Sequence, residues 1–197
     1  MRTTLPNLLT LSRIAVIPLV VGTFYLPTPW DAWLGSFLFA AACATDWLDG
    51  HFARRWQQIS AFGRFLDPIA DKLLVAMVLM MLVASSRLTQ AALFPALIIL
   101  AREILVSGLR EFLAGLRVSI PVSKLAKWKT GIQMVAIGVL LVSGALPGWI
   151  ETAGEALLWL AALLTLVTGY DYLIHGLTHM EAEDARPKPA PAAGKIG

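Results

Sequence analysis

The chain has 197 residues, of which 57% are apolar and only 15% are charged, and its formal net charge is +3. Soluble domains carry about 25% charged residues, so this composition excludes an ordinary water-soluble domain and indicates an integral membrane protein. The single cysteine, Cys43, excludes an internal disulfide. Because it lies in an apolar run, we expect it to be a small buried residue.

Six apolar runs follow one another along the chain, at about 8–26, 30–52, 66–85, 90–109, 130–147 and 154–174. Each is near the ~20 residues that a helix needs to cross ~30 Å of hydrocarbon. Helices are expected because an open strand would leave backbone groups unpaired in lipid. The sequence therefore predicts an all-α integral membrane protein with six transmembrane helices within residues 1–184. The Pro/Ala-rich segment 185–197 is predicted to be a disordered tail.

The first run invites comparison with a signal peptide, because Arg2 precedes it. Ser12, Arg13 and Pro18 interrupt its apolar character, and no A-x-A-like cleavage site follows it. We therefore expect this segment to be retained as the first membrane helix.

The connections between the runs differ sharply in charge. One set carries most of the basic residues, namely Arg2, Arg54, Arg55, Arg64, Arg110, Arg117, Lys124, Lys127, Lys129, Arg186, Lys188 and Lys195. The opposite set carries Arg87 alone, together with Glu151 and Glu155. The positive-inside rule then predicts that both termini are cytoplasmic. Trp30, Trp33 and Trp149 fall at the outer ends, where interfacial aromatic anchors are expected.

Four aspartates lie close together on the predicted second and third helices. Asp46 and Asp49 are three residues apart, and Asp67 and Asp71 are four apart, so each pair shares one helix face. At 1.5 Å per residue, the first pair lies ~24–28 Å along its helix, near the cytoplasmic headgroups. We expect the third helix to begin near Phe65, which puts the second pair in its first turns at the same depth.

Four carboxylates at one depth in a membrane would repel one another, and a charged residue there is a functional hypothesis by default. Their spacing suggests convergence on hard divalent cations such as Mg²⁺. Two metal ions that clamp a phosphoryl group are a recurrent arrangement for in-line displacement. The alternative is a structural ion network in which the nearby cations neutralise the acids, namely Arg54, Arg55, Arg64 and Lys72.

The pattern Asp46-x2-Asp49-Gly50-x2-Ala53-Arg54-x8-Gly63-x3-Asp67-x3-Asp71 fixes eight residues over 26 positions. At every fixed position it resembles the signature of the CDP-alcohol phosphatidyltransferase family. The resemblance implies a six-helix membrane fold, usually a homodimer, in which an alcohol hydroxyl displaces CMP from a CDP-linked substrate.

Further segments resemble the bacterial subgroup that makes phosphatidylglycerophosphate, namely LPNLLTLSRIAVIP, YLPTPW, AREILVSGLREFLAG and SKLAKWKTGIQMVAI. The implied donor is CDP-diacylglycerol, and the implied acceptor is sn-glycerol 3-phosphate. The implied location is the bacterial inner membrane, with the active site facing the cytoplasm. We expect these substrates, membrane lipids and a second copy of the chain as partners, and no nucleic acid.

The resemblance also implies roles for particular residues. Asp46, Asp49 and Asp67 would be metal ligands, and Asp71 would approach the metal and take the proton from the acceptor hydroxyl. The implied metal is Mg²⁺, as two ions, with Mn²⁺ as a substitute. The residues implied to contact CDP-diacylglycerol are Asn7, Thr10, Gly50, Arg54, Ser60 and Gly63.

The acceptor phosphate needs its own cations. Arg110 and Lys127 flank the depth of the aspartates and are the first candidates, with Lys129 as a third. Arg102 and Glu103 lie inside a predicted span and are expected to pair with each other. Basic residues in the same loop also suit contact with anionic lipid, and this alternative is preferred for Arg117 and Lys124.

Three alternatives stay open at the level of sequence. The same chemistry with phosphatidylglycerol, inositol phosphate or serine as acceptor is the nearest. A membrane prenyltransferase also uses aspartate-rich helices and Mg²⁺, but with its motifs on distant helices. An ion or proton transporter would place its charges near the midplane and often shows two similar halves, and no internal repeat is visible here.

Overall fold

The structure, a computed structural model, describes residues 5–56, 61–115 and 124–184. Within these ranges some side chains lie outside the description, namely those of 5–9, 47, 49–56, 61–65, 124, 175 and 179–184. The described chain forms six α-helices and contains no strand. They are α1 (Leu5–Thr23), α2 (Trp30–Trp56), α3 (Ala61–Ala84), α4 (Leu93–Gly115), α5 (Lys124–Ser143) and α6 (Trp149–Asp184).

Six helices were predicted and six are found, but several of their ends differ. α3 begins at Ala61 rather than near Phe65, so Asp67 lies in its second turn and not its first. α6 runs on to Asp184, beyond the predicted end near residue 174. Glu151 was expected in a loop, and it lies in the first turn of α6. An acidic side chain is favourable there because it faces the positive end of the helix dipole.

The helices pack in a ring around an apolar core. α1 packs against α2 and α3, α2 against α5, α5 against α6, and α6 against α4, while α3 packs only lightly on α4 and α5. The core is filled by fully buried side chains that include Phe39, Leu74, Val78, Ile137 and Leu140. The two aspartate-bearing helices, α2 and α3, therefore both lie against α1.

The outer surface is also apolar. Large exposed hydrophobic side chains occur on all six helices, for example Phe37, Met80, Leu97, Ile104 and Leu163. A surface of this kind suits contact with lipid, since soluble monomers rarely expose contiguous apolar patches. In the described part of the chain, two segments are long and apolar enough to cross a membrane, Leu125–Ser143 and Trp149–Thr178. These features indicate a membrane-associated protein.

At the end of the bundle away from the aspartates, Arg87 joins several helices. It forms an ion pair with the buried Asp31 at the start of α2. Its guanidinium lies 5.5 Å from the ring centroid of Phe24, just after α1. Its Nη1 donates a hydrogen bond of 3.0 Å to the carbonyl oxygen of Leu141 on α5. The one basic residue in the described connections at this end of the bundle is thus neutralised inside the protein.

We expect Arg87→Met to destabilise the fold, because it leaves the Asp31 carboxylate buried without its counter-charge. Removing one partner of a buried ion pair costs about 3–5 kcal/mol. Thermal unfolding of the purified protein in detergent measures the effect as a lower midpoint. The double variant Arg87→Met/Asp31→Asn should recover part of the loss, since a neutral amide needs no cation. A single variant that unfolds at the wild-type temperature would contradict this assignment.

Candidate active site

Two buried polar side chains of α1 contact the aspartates of its neighbours. The Thr10 hydroxyl donates a hydrogen bond of 2.5 Å to Asp67 Oδ1 on α3. Arg13 Nη1 lies 2.8 Å from Asp46 Oδ1 on α2. Both α1 residues are 1% exposed. One helix therefore holds one carboxylate from each of the two acidic helices.

This arrangement follows from helical spacing. Thr10 and Arg13 are three residues apart and so lie on one face of α1. A buried guanidinium is strongly unfavourable unless it is paired, and Asp46 supplies a carboxylate at ion-pair distance. The Asp46 side chain is itself 50% exposed, and Asp67 is also exposed. Each carboxylate is thus anchored at one oxygen and remains accessible from outside the bundle.

Asp71 lies one turn after Asp67 on α3 and is half-buried. It lines a small pocket whose other polar side chains are Lys72, Glu103, Thr130 and Gln133. Asp71 lies within electrostatic reach of Asp46 on α2 and of the Arg13 guanidinium on α1. The structure therefore brings Asp46, Asp67 and Asp71 into one neighbourhood.

Beside this pocket lies a group of four charged side chains, Lys72, Arg102, Glu103 and Lys129, here called the Glu103 cluster. Glu103 Oε1 pairs with Lys129 Nζ and lies 3.4 Å from Arg102 Nη1. Glu103 Oε2 lies 3.9 Å from Lys72 Nζ. The expected pairing of Arg102 with Glu103 is present, but it is part of this larger network across α3, α4 and α5.

The Glu103 cluster has more positive than negative charge. Three cations surround one carboxylate, and Lys129 and Glu103 are only 4% and 15% exposed at their side chains. Excess positive charge in a buried location favours an anion, since an unpaired buried charge is costly. The cluster therefore places excess positive charge beside the Asp71 pocket, and two of its members, Lys72 and Glu103, line that pocket.

Gly169 on α6 lets Arg102 reach the cluster. A Cβ at this position would lie 3.0 Å from Arg102 Cγ and 3.2 Å from Arg102 Nε. On the same side, Arg102 Nη2 lies 3.4 Å from the Thr168 hydroxyl, to which it donates a hydrogen bond. The absence of a side chain at residue 169 thus allows the Arg102 side chain to lie close to α6.

The three predicted acceptor residues lie in different surroundings. Lys129 belongs to the Glu103 cluster. Arg110 is exposed on α4, and its guanidinium lies 5.6 Å from the Tyr172 ring centroid on α6, which is a cation–π distance. Lys127 is exposed on α5 and lines an apolar groove with Trp128, Gly131, Ile132, Val135 and Leu157.

Several predicted site residues lie outside the described side chains. Asn7, Asp49, Gly50, Arg54 and Gly63 are on described helical backbone only, and Ser60 falls in the undescribed stretch 57–60. Among the side chains that are described, no three Asp, Glu, His or Cys residues converge closely enough to hold a metal ion. The Asp49 side chain, which the sequence assigns to such a group, lies outside the described side chains.

Sequence reasoning missed some of the residues that surround the aspartates. It treated Arg13 only as an interruption of an apolar run, Lys72 only as a general counter-charge, and Glu103 only as the partner of Arg102. The available signal was a charge inside a predicted membrane helix, which should prompt a search for an acidic partner on a neighbouring helix. The expected nucleotide contact of Thr10 stays a prediction, and its hydroxyl donates a hydrogen bond to Asp67.

Comparison with known proteins agrees with this chemistry. The family model for CDP-alcohol phosphatidyltransferase matches residues 3–167. A protein of Rickettsia bellii (strain RML369-C) is 50% identical over 170 residues, which cover 85% of this chain and 92% of that protein. A protein of Escherichia coli (strain K12) is 46% identical over 175 residues, which cover 88% of this chain and 94% of that protein.

Both relatives are named CDP-diacylglycerol–glycerol-3-phosphate 3-phosphatidyltransferase. A third protein of that name, from Rickettsia typhi (strain ATCC VR-144 / Wilmington), is 48% identical over 170 residues and covers 85% of this chain and 94% of its own. The family match and these relatives extend over most of the chain. The chain is therefore an enzyme that belongs to the CDP-alcohol phosphatidyltransferase family.

Proposed function

We propose that the chain transfers the phosphatidyl group of CDP-diacylglycerol to sn-glycerol 3-phosphate, which gives phosphatidylglycerophosphate and CMP. The observation that carries the proposal is the position of Asp71 beside the Glu103 cluster. The Asp71 carboxylate can accept a proton. The positive charge of the adjoining Glu103 cluster can bind a phosphate. The names of the relatives at 46–50% identity support the same pair of substrates.

Asp71 is the proposed base. In the reaction, a hydroxyl oxygen of glycerol 3-phosphate forms a bond to the β-phosphorus of the donor, and the bond from that phosphorus to the CMP oxygen breaks. The hydroxyl proton passes to Asp71. A positioned base of this kind contributes about 10²–10⁴-fold to rate, because an alcohol is a weak nucleophile until it loses its proton.

Asp46, Asp49 and Asp67 are the proposed metal ligands, with Asp71 close to them. Among the described side chains of α1, Arg13 and Thr10 each contact one oxygen of Asp46 and Asp67, and the second oxygen of each carboxylate is proposed to face a ligand. A donor set made only of carboxylate oxygens fits a hard cation such as Mg²⁺, or Mn²⁺ in its place. Two such ions would neutralise charge on the diphosphate and on the departing CMP.

The acceptor phosphate is proposed to bind at the pocket beside Asp71. Lys129 was predicted for this role, and the Glu103 cluster adds Lys72 and Arg102. A phosphate would balance their excess positive charge more fully than a neutral acceptor would. Sites built for a charged group reject analogues that lack it. Arg110 and Lys127 remain predictions for the same role.

The donor is proposed to contact Asn7, Thr10, Gly50, Arg54, Ser60 and Gly63. We also propose that all six helices cross the bacterial inner membrane, with both termini and the active site on the cytoplasmic side. The charge difference between the two sets of connections supports this orientation. A homodimer is proposed from the family resemblance.

An acceptor panel tests the proposed function. The purified protein in detergent is supplied with CDP-diacylglycerol, Mg²⁺ and one acceptor at a time: glycerol 3-phosphate, serine, inositol phosphate or phosphatidylglycerol. We expect CMP release with glycerol 3-phosphate alone. CMP release only with another acceptor would support the proposed transfer reaction and refute glycerol 3-phosphate as the acceptor. No release with any of them, from folded protein, would refute the proposed function.

A further inference from the structure

Two buried polar side chains of α1, Thr10 and Arg13, contact carboxylates on the acidic helices α3 and α2. Their side chains are 1% exposed, and they lie one turn apart on α1. Thr10 donates to Asp67 Oδ1 at 2.5 Å, and Arg13 Nη1 lies 2.8 Å from Asp46 Oδ1. Each contact engages only one oxygen of a carboxylate that is otherwise exposed. The same side of one helix thus contacts two carboxylates from two other helices.

An exposed carboxylate rotates freely unless a neighbour restrains it. Groups that hydrogen-bond to a metal ligand restrict its orientation, and their mutation typically costs 10–100-fold in metal affinity or activity. Thr10 and Arg13 restrain their partners by different means, a neutral hydroxyl donor in one case and a charged guanidinium in the other. The two positions can therefore be tested separately.

We propose that Thr10 and Arg13 are positioning residues that hold Asp67 and Asp46 so that the second oxygen of each faces a divalent cation. The inference rests on the proposed function, because it takes these aspartates as metal ligands. In this view α1 aligns the carboxylates of α2 and α3 before the substrates bind. The role of Thr10 then lies in its contact with Asp67, whether or not it also contacts the nucleotide.

Thr10 offers the cleaner test, because Thr→Val keeps the shape of the side chain and replaces the hydroxyl that donates to Asp67 with a methyl group. Thr10→Ser keeps the donor and serves as the rescue variant. Thr23→Val is the matched control, since Thr23 is a buried threonine at the opposite end of α1 that donates to the carbonyl oxygen of Val20. Binding of Mn²⁺ to the purified full chain, without substrates, is measured by electron paramagnetic resonance.

We expect Thr10→Val to weaken Mn²⁺ binding by about 10-fold or more, as for other residues that orient metal ligands. Thr10→Ser and Thr23→Val should bind Mn²⁺ like the wild type. The rate of CMP release by Thr10→Val should rise towards the wild-type rate as Mg²⁺ is increased, which a general loss of folded protein would not produce. Wild-type Mn²⁺ affinity in Thr10→Val, or equal weakening in Thr10→Ser, would overturn the role of Thr10.

Arg13→Lys tests the ion pair with Asp46, because it keeps the positive charge and changes the shape and position of the cationic group. We expect weaker Mn²⁺ binding than in the wild type, and unchanged affinity would overturn the positioning role of Arg13. Failure of this inference differs from failure of the proposed function. If the wild type releases CMP with glycerol 3-phosphate while the α1 variants bind Mn²⁺ normally, only the inference falls. If the wild type binds no Mn²⁺, the inference falls whatever its activity.

Discussion

Asp71→Asn should reduce CMP release by about 10²–10⁴-fold at saturating substrates, because an amide cannot take the proton of the acceptor hydroxyl. The substitution preserves the size of the side chain, so the pocket that Asp71 lines should keep its shape. Initial rates of CMP release from the purified protein measure the effect. Binding of CDP-diacylglycerol by the same sample shows that the variant is folded.

Glu111→Gln is the matched control for this prediction. Glu111 is an exposed acidic residue on α4, and the change to an amide is of the same kind. We expect it to retain the wild-type rate. If Asp71→Asn also kept its rate within a factor of a few, Asp71 would not be the base, and the proton would have to go to another group.

Lys129→Met should raise the KM for glycerol 3-phosphate by roughly 10- to 150-fold, since a hydrogen bond to a charged group contributes about 1.5–3 kcal/mol. The fold should survive the change, because Glu103 keeps Arg102 at 3.4 Å and Lys72 at 3.9 Å as counter-charges. Steady-state CMP release over a range of acceptor concentrations separates KM from kcat. The KM for CDP-diacylglycerol should change much less.

Lys127→Met and Arg110→Met complete this comparison. Lys127 is on the same helix two residues before Lys129 but lines an apolar groove, and Arg110 lies over the Tyr172 ring. A larger KM for glycerol 3-phosphate in either variant would extend the phosphate site to that residue. An unchanged KM in Lys129→Met would contradict the assignment of the Glu103 cluster to the acceptor.

The number of helices follows from the sequence because each apolar run is long enough for a membrane span. Their ends were harder to predict. α6 continues to Asp184 because helix formation does not stop where hydrocarbon would end, and Glu151 joins the helix because an acid suits the first turn. Hydropathy reports where a segment is apolar, and it does not report where its backbone hydrogen bonds stop.

The proximity of Asp46, Asp67 and Asp71 also follows from local spacing, since they lie on consecutive helices, whereas the place of Asp49 in this group stays a prediction. The contacts of Thr10 and Arg13 with these aspartates do not follow from spacing, because they depend on which face of α1 meets α2 and α3. The same limit applies to the lysines of α5. Lys127 and Lys129 lie at nearly the same depth. Because they are two positions apart on the helix, their side chains point in directions about 200° apart. Depth alone therefore could not predict that Lys129 belongs to the Glu103 cluster and Lys127 to the apolar groove.

Product analysis with labelled acceptor tests the central claim most directly. The purified protein is given CDP-diacylglycerol, Mg²⁺ and glycerol 3-phosphate labelled with ¹³C at every carbon, and lipid and nucleotide products are measured by mass spectrometry. The account predicts phosphatidylglycerophosphate that carries the whole labelled glycerol phosphate, formed in equal amount with CMP. Release of CMP without labelled lipid would mean that the donor is hydrolysed or used with another acceptor, and would contradict the account.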